Sequence, residues 1–143
     1  MIAIASDQFG IEMKKSIINW LVENEIPVTD FGSESEEFFE HIEYAHAVTG
    51  SILDEENVIG VLISDYANDF CMASNKWRGI RASVCWNTEV SYFSRNHQNA
   101  NIICIPTKYV SIDYAIDILD IFLETEFEGG RYELGVNSIN PTF

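Results

Sequence analysis

The residues able to do chemistry fall largely in short stretches that each follow an apolar run: Ser6-Asp7-Gln8-Phe9-Gly10, Ser64-Asp65-Tyr66-Ala67-Asn68-Asp69 and Trp86-Asn87-Thr88. A carboxylate transfers protons when its surroundings tune its pKa, which makes Asp65 and Asp69 candidates for a base. Ser64 offers only a weakly acidic hydroxyl, and without a partnering base it is a poor proton carrier. Further along, His97-Gln98 and Arg131 supply an imidazole, an amide and a guanidinium able to grip a phosphate through two parallel hydrogen bonds. A lone histidine is otherwise most often a satisfied structural one, and Asp7 could equally cap a helix start. His41 and His46 read as surface and helix-face residues. No grouping of His, Cys and carboxylate reaches the specificity of a metal site, and no cofactor is implied.

The charge balance narrows the partners. Eight basic against 23 acidic residues in 143 give a formal net charge of -15. Such a field repels nucleic-acid backbones and anionic lipid surfaces, so neither is expected as a partner. It also repels a phosphorylated ligand unless local cations overcome it, which makes the place of each Lys and Arg informative. The three cysteines, Cys71, Cys85 and Cys104, show no C-x-x-C spacing, and two of them sit in apolar runs. Reduced thiols and a cytoplasmic protein are expected. No apolar stretch approaches the length of a membrane span.

The elements that must position these groups alternate between short apolar runs and helical periodicity, the pattern of a parallel sheet wrapped by helices. Strands are predicted at Ile2 to Ser6, Pro27 to Phe31, Val58 to Ile63, Ile80 to Cys85 and Asn101 to Ile105. Helices are predicted around Met13, Ile17 and Leu21, around Ile42, Ala45, Thr49 and Ile52, and around Ile112, Ile116, Leu119 and Leu123, the last capped by Ser111. A further helix candidate follows Gly129-Gly130. The acidic stretches Glu34 to Glu43 and Asp54 to Glu56 read as solvated surface. The whole is one domain over 1–143, a three-layer α/β/α Rossmann-like fold with a mainly parallel sheet of about five strands. In such sheets ligands bind beyond the carboxyl ends of the strands, where Asp7 and Ser64 to Asp69 fall.

Five motifs in order carry a resemblance. Ser6-Asp7-Gln8-Phe9-Gly10 resembles S-D-H-A-G, Asp30-Phe31-Gly32 matches D-x-G, and Asn75-Lys76-x-x-Gly79-Ile80-Arg81-Ala82 matches N-K-x-x-G-I-R-A. Ser94-Arg95-Asn96-His97-Gln98-Asn99-Ala100-Asn101 resembles S-R-x-H-N-x-A-N, and Glu126-Phe127-Glu128-Gly129-Gly130-Arg131 matches E-F-E-G-G-R. These are motifs of the ribose-5-phosphate isomerase B and galactose-6-phosphate isomerase family, and the resemblance covers nearly the whole chain. It implies aldose-ketose isomerisation of a phosphorylated sugar through an enediol, at a site formed between two subunits. It places His97 at the ring-opening position, Asp7 on sugar hydroxyls and Arg131 on phosphate. The catalytic candidates are therefore His97, Asp65 and Ser64, and the substrate-binding candidates Asp7, Gln8, Tyr66, Asn68, Gln98 and Arg131.

The departures are as informative. Where many family members carry a thiolate in C-G-T-G-x-G, this chain reads Ser64-Asp65-Tyr66-Ala67-Asn68-Asp69, without the base and without the glycines that let backbone N–H groups cradle an oxyanion. Gln8 replaces a histidine, and Gly135 replaces the second arginine of G-G-R-x-x-x-R. Three readings follow: an isomerase with an altered base or substrate, a partner subunit beside a related chain that keeps the cysteine loop, and a degenerate homodimer used for binding or regulation. A homodimer or higher oligomer is expected, because the segment from Ile112 to Phe122 is more apolar than one sheet face requires. Lys76 and Arg81 are expected to fix loops and helix ends.

Overall fold

The computed structural model describes residues 1–32, 41–54 and 58–141. Five strands, β1 (Ile2–Ser6), β2 (Val28–Asp30), β3 (Ile59–Ser64), β4 (Ala82–Val84) and β5 (Ile102–Pro106), form one sheet in the order β2-β1-β3-β5-β4. Every pairing is parallel. Six helices accompany them: α1 (Ile11–Glu23), α2 (Ile42–Asp54), α3 (Asn68–Ser74), α4 (Thr88–Asn96), α5 (Ile112–Glu124) and α6 (Arg131–Asn137). The α/β architecture read from the sequence is the one observed.

The pleat of the sheet explains the three layers. Alternate side chains point to opposite faces. Ile2, Ile4, Val61, Ile63, Ile103 and Ile105 enter one core with Met13, Ile17 and Leu21 of α1 and Ala115, Ile118 and Leu119 of α5. Ala3, Ala5, Leu62, Ile102 and Cys104 enter the other, beneath Ala45 and Val48 of α2 and Phe70 of α3. Strands buried on both faces read as continuous apolar runs, which is why they were visible in the sequence. The predicted run Ile2 to Ser6 coincides with β1, and the other four begin and end a residue or two away from the observed strands. The two helices the periodicity did not show are α3 and α4. The acidic stretch 34–40 and residues 55–56 lie outside the described residues, whereas Glu43 and Asp54 are exposed as expected.

Two expectations change. The apolar surplus of α5 is spent inside the chain: Phe122 is fully buried, and Ile112, Tyr114, Ile116 and Leu123 pack on the same core. It gives no support to an interface. Among the described helices, the one left without a buried residue is α6, where Leu134 is 77% exposed. Of the two cations expected to fix loops, Arg81 does so, donating from Nε to the Asn99 carbonyl (2.7 Å) and from Nη1 to that of Gly79 (3.3 Å). Lys76 makes no such bond among the described residues. Asp30 of the D-x-G motif serves the fold, accepting from the buried Lys14 ammonium (2.9 Å) and from Gly32 N–H (2.9 Å). Cys85 and Cys104 are buried and all three cysteines are free thiols. Among the described residues no helix is long and apolar enough to cross a membrane.

Candidate active site

At the carboxyl end of β1 the chain must turn from strand to helix against β3. Gly10 allows the close approach, since a Cβ there would meet the Ile63 side chain at 2.7 Å. Asp7 organises the turn. Its Oδ1 accepts from Phe9 N–H and Gly10 N–H, both at 2.9 Å, and its Oδ2 accepts from Asp65 N–H at 3.3 Å. Asp7 acts as the cap expected as one of its two readings, and its Oδ2 also lies beside the β3 loop. It is only 3% exposed. Burial raises its pKa above the ordinary aspartate value and the Asp65 charge adds to the rise, while the three backbone N–H groups pull the other way. Gln8, next in the chain, keeps a buried Oε1 with no hydrogen-bond partner among the described residues.

The loop after β3 satisfies its own donors. Ser64 is fully buried; its hydroxyl accepts from Ala67 N–H (2.9 Å) and donates to Asp69 Oδ1 (3.2 Å). Asp65 Oδ1 accepts from Tyr66 N–H (2.9 Å), and Asp69 Oδ1 accepts from Phe70 N–H (2.8 Å). Ala67 holds the left-handed conformation, φ 64°, at the start of α3. The loop thus turns as a glycine loop would, but side-chain oxygens of Asp7, Ser64, Asp65 and Asp69 occupy N–H groups that a glycine cradle would offer to an anion.

Beside this loop lies a cavity of about 500 Å³ lined by Tyr66, Asn68, Val84, Trp86, Pro106 and Tyr109. The Tyr66 and Tyr109 rings stand 6.0 Å apart at 57°. Asn87 is not part of it, since its side chain caps α4 by accepting from Val90 N–H (2.7 Å). The segment after β5, Thr107-Lys108-Tyr109, was missed in the sequence. Lys108 N–H donates to the Asp65 carbonyl (3.0 Å), and its ammonium lies 5.8 Å above the exposed Phe9 ring. The signal was available: the rule that ligands gather beyond strand carboxyl ends applies to β5 as it does to β1 and β3.

The remaining candidates stand elsewhere. α4 leaves the carboxyl end of β4 and runs back to the amino end of β5, so His97, its C-terminal cap, lies at the opposite end of the sheet from Asp7 and Asp65. α5 makes the same return, and the Asn96 carbonyl accepts from Glu128 N–H (3.0 Å), which fastens the approach to α6 beside His97. There the His97 imidazole stacks on Tyr132 at 3.9 Å and 14° and tilts against Phe93 at 4.7 Å. Arg131 Nη2 donates to the Tyr132 hydroxyl (2.7 Å), with its guanidinium 4.8 Å over the same ring. Gln98 is exposed beside this cluster. The structure therefore brings Asp7, Gln8, Ser64, Asp65, Tyr66 and Asn68 together at one end and His97, Gln98 and Arg131 at the other. Five residues of β5 separate the ends by roughly 16 Å, beyond the reach of one small sugar phosphate. Among the described residues no group of His, Cys, Asp and Glu is placed to hold a metal ion.

The sequence and the fold both have close counterparts. A ribose 5-phosphate isomerase of Thermotoga maritima superposes with a TM-score of 0.93 at 38% identity, covering 96% of this chain and 95% of that one. The Mycoplasma genitalium ribose-5-phosphate isomerase B, solved with bound ribulose 5-phosphate, gives 0.93 at 31% identity over 96% and 92%. Ribose-5-phosphate isomerase B of Escherichia coli is 33% identical over 138 residues, 96% of this chain and 93% of its own. The model of the ribose/galactose isomerase family matches residues 2–139. With that match, and with relatives a third or more identical over nearly the whole chain, this chain belongs to the ribose/galactose isomerase family of sugar-phosphate isomerases.

Proposed function

We propose that the chain interconverts an aldose phosphate and a ketose phosphate through an enediol, in a pocket built from two copies of itself. The observation that carries this is the division just described: two adjacent carboxylates at one end of the sheet, an imidazole and a guanidinium at the other. A second copy related by a two-fold axis presents its amino-terminal end to the first copy's carboxyl end, and the reverse, so each contact completes one site. In that site Asp65 takes the proton from the carbon next to the carbonyl. The C–H electron pair becomes the enediol double bond as the carbonyl oxygen takes up a proton. The neighbouring hydroxyl then gives up its proton as its C–O bond becomes the new carbonyl, and Asp65 returns its proton to the former carbonyl carbon. Asp7 and the unmatched Gln8 Oε1 accept sugar hydroxyls, and Tyr66 and Asn68 wall the pocket. His97 of the second copy assists ring opening, with Gln98 beside it, and Arg131 holds the phosphate. Ser64 shapes the loop. The substrate is a phosphorylated sugar, and the protein works as a cytoplasmic homodimer or higher oligomer.

Mixing two inactive variants tests this. Asp65→Asn and His97→Ala should each lose turnover alone, and after mixing and re-equilibration regain roughly a quarter of the wild-type level, because mixed dimers carry one intact site in two. A mixture no better than its parents defeats the shared pocket.

One observation favours a second reading. The loop's own oxygens consume its backbone donors, which suits a subunit that lends His97 and Arg131 to a related chain carrying the thiol loop. In that case the purified chain isomerises no phosphorylated pentose or hexose alone, and His97→Ala in it lowers the turnover of the two-chain complex.

A further inference from the structure

A second cavity, of about 480 Å³, opens between the connection from α3 to β4 and the end of the chain, away from the loop carboxylates. Three of the chain's eight cations, Lys76, Arg78 and Arg81, line it, and no Asp or Glu does. In a molecule of charge -15 that concentration is against the odds of composition. Neither Lys76 nor Arg78 forms an ion pair among the described residues, where the salt bridges are Lys14–Asp30 and Lys15–Glu12. Arg81 is pinned by its bonds to the Asn99 and Gly79 carbonyls, which use Nε and Nη1 and leave Nη2 for a ligand. A fixed fork loses less entropy on gripping an anion than a free side chain does. Burial also weighs against the Arg81 charge, and Arg95 lies close enough to feel it, so this corner holds positive charge that the chain itself does not neutralise.

The rest of the lining mixes the amides and hydroxyl of Asn75, Ser83, Gln98 and Asn140 with an apolar wall. Trp77, Ile80, Ile139 and Pro141 contribute to it. Trp77 is 39% exposed and its indole N–H is already given to His46 Nδ1 (2.8 Å), so the ring is held and offers its face. A cavity of this size with an apolar wall and a few convergent charged groups is the usual form of a small-ligand site.

We propose that this cavity binds a small phosphate monoester, with the phosphate on Lys76, Arg78 and Arg81 and the organic part against Trp77. The site borders the pocket assigned above through Gln98, which lines it, but uses neither Asp65, His97 nor Arg131. Two sources share the chemistry: a sugar phosphate of the substrate type, and a nucleoside monophosphate whose base stacks on the indole.

The test is titration of the full chain at low ionic strength with inorganic phosphate, ribose 5-phosphate and adenosine monophosphate, followed by tryptophan fluorescence and by calorimetry. Saturable binding is expected to weaken with added salt. It should also weaken roughly tenfold or more in the double variant Lys76→Ala/Arg78→Ala, the scale of a lost charge-assisted contact. Arg131→Ala should leave the binding of adenosine monophosphate unchanged. Both cations are exposed, so the variant folds, and a matching circular dichroism spectrum checks that. Tighter binding of the nucleotide identifies a stacked base, and tighter binding of ribose 5-phosphate identifies the substrate itself as the effector. Three results overturn the proposal: no binding of any probe, binding unchanged in the double variant, or binding of adenosine monophosphate abolished by Arg131→Ala.

Discussion

At the scale of single residues, the site is decided by what has been placed around Ser64. A hydroxyl that is buried, accepts from Ala67 N–H and donates to Asp69 has no proton to exchange with substrate. Ser64 therefore takes no part in proton transfer, and Ser64→Cys should not raise the turnover of ribose 5-phosphate by the purified protein, since Asp65 and Asp69 would hold the thiol protonated by like-charge repulsion; a coupled assay of pentose isomerisation reads it. Asp7 gives a pH prediction with a definite sign. Its folded pKa is raised, so between the unfolded and the folded value the native state binds more protons than the unfolded one, and stability falls as pH rises through that window. Denaturant melts of wild type and Asp7→Asn across mild acid should show the wild type losing ground to the variant as pH rises. The variant itself also starts lower, by about 1–3 kcal/mol, because an amide in place of Oδ2 leaves Asp65 N–H without its acceptor.

At the scale of elements, the loop between β3 and α3 holds strain. A left-handed alanine costs about 1–2 kcal/mol, which burial of its methyl and the stiffer unfolded chain offset by a similar amount. Ala67→Gly should thus shift stability by less than about 1 kcal/mol, whereas Ala67→Val, with a β-branched side chain at φ 64° in a fully buried place, should destabilise by about 3 kcal/mol or more. Chemical denaturation of the two variants decides it. The strands were legible in the sequence because both faces of each are buried. Helix α4 was not, because its inward face is serine: Ser91 Oγ donates to the Ile118 carbonyl (2.8 Å) and Ser94 Oγ to that of Ser91 (2.9 Å), while Tyr92 and Phe93 face outward. A helix whose buried stripe is polar carries no apolar period. Helix α3, of seven residues, is too short to carry one. The motifs supplied the candidate site residues by type. That they stand at two ends of the sheet appeared only once the direction of each helix was known.

At the scale of the whole molecule, α6 is the element that remains to be covered. It buries nothing in its own chain and exposes Leu134 beside Arg131 and Tyr132. Sedimentation at micromolar concentration should show a dimer or larger, and Leu134→Glu should dissociate it and remove turnover together, since the same helix carries Arg131 to the shared pocket. Dissociation with turnover intact would show a site complete within one chain.

The two-ended layout also bears on how such a chain can change over generations. When one copy's loop meets another copy's histidine, the two halves of a site need not be inherited on the same polypeptide. After a gene duplication, one copy is free to drift at its loop so long as its sister keeps a working one, while selection still guards the histidine and arginine it lends. Replacement of Ser64 to Asp69 with His97 and Arg131 retained is the pattern such a division of labour leaves at the loop end, while Gly135 marks a change at the other end as well.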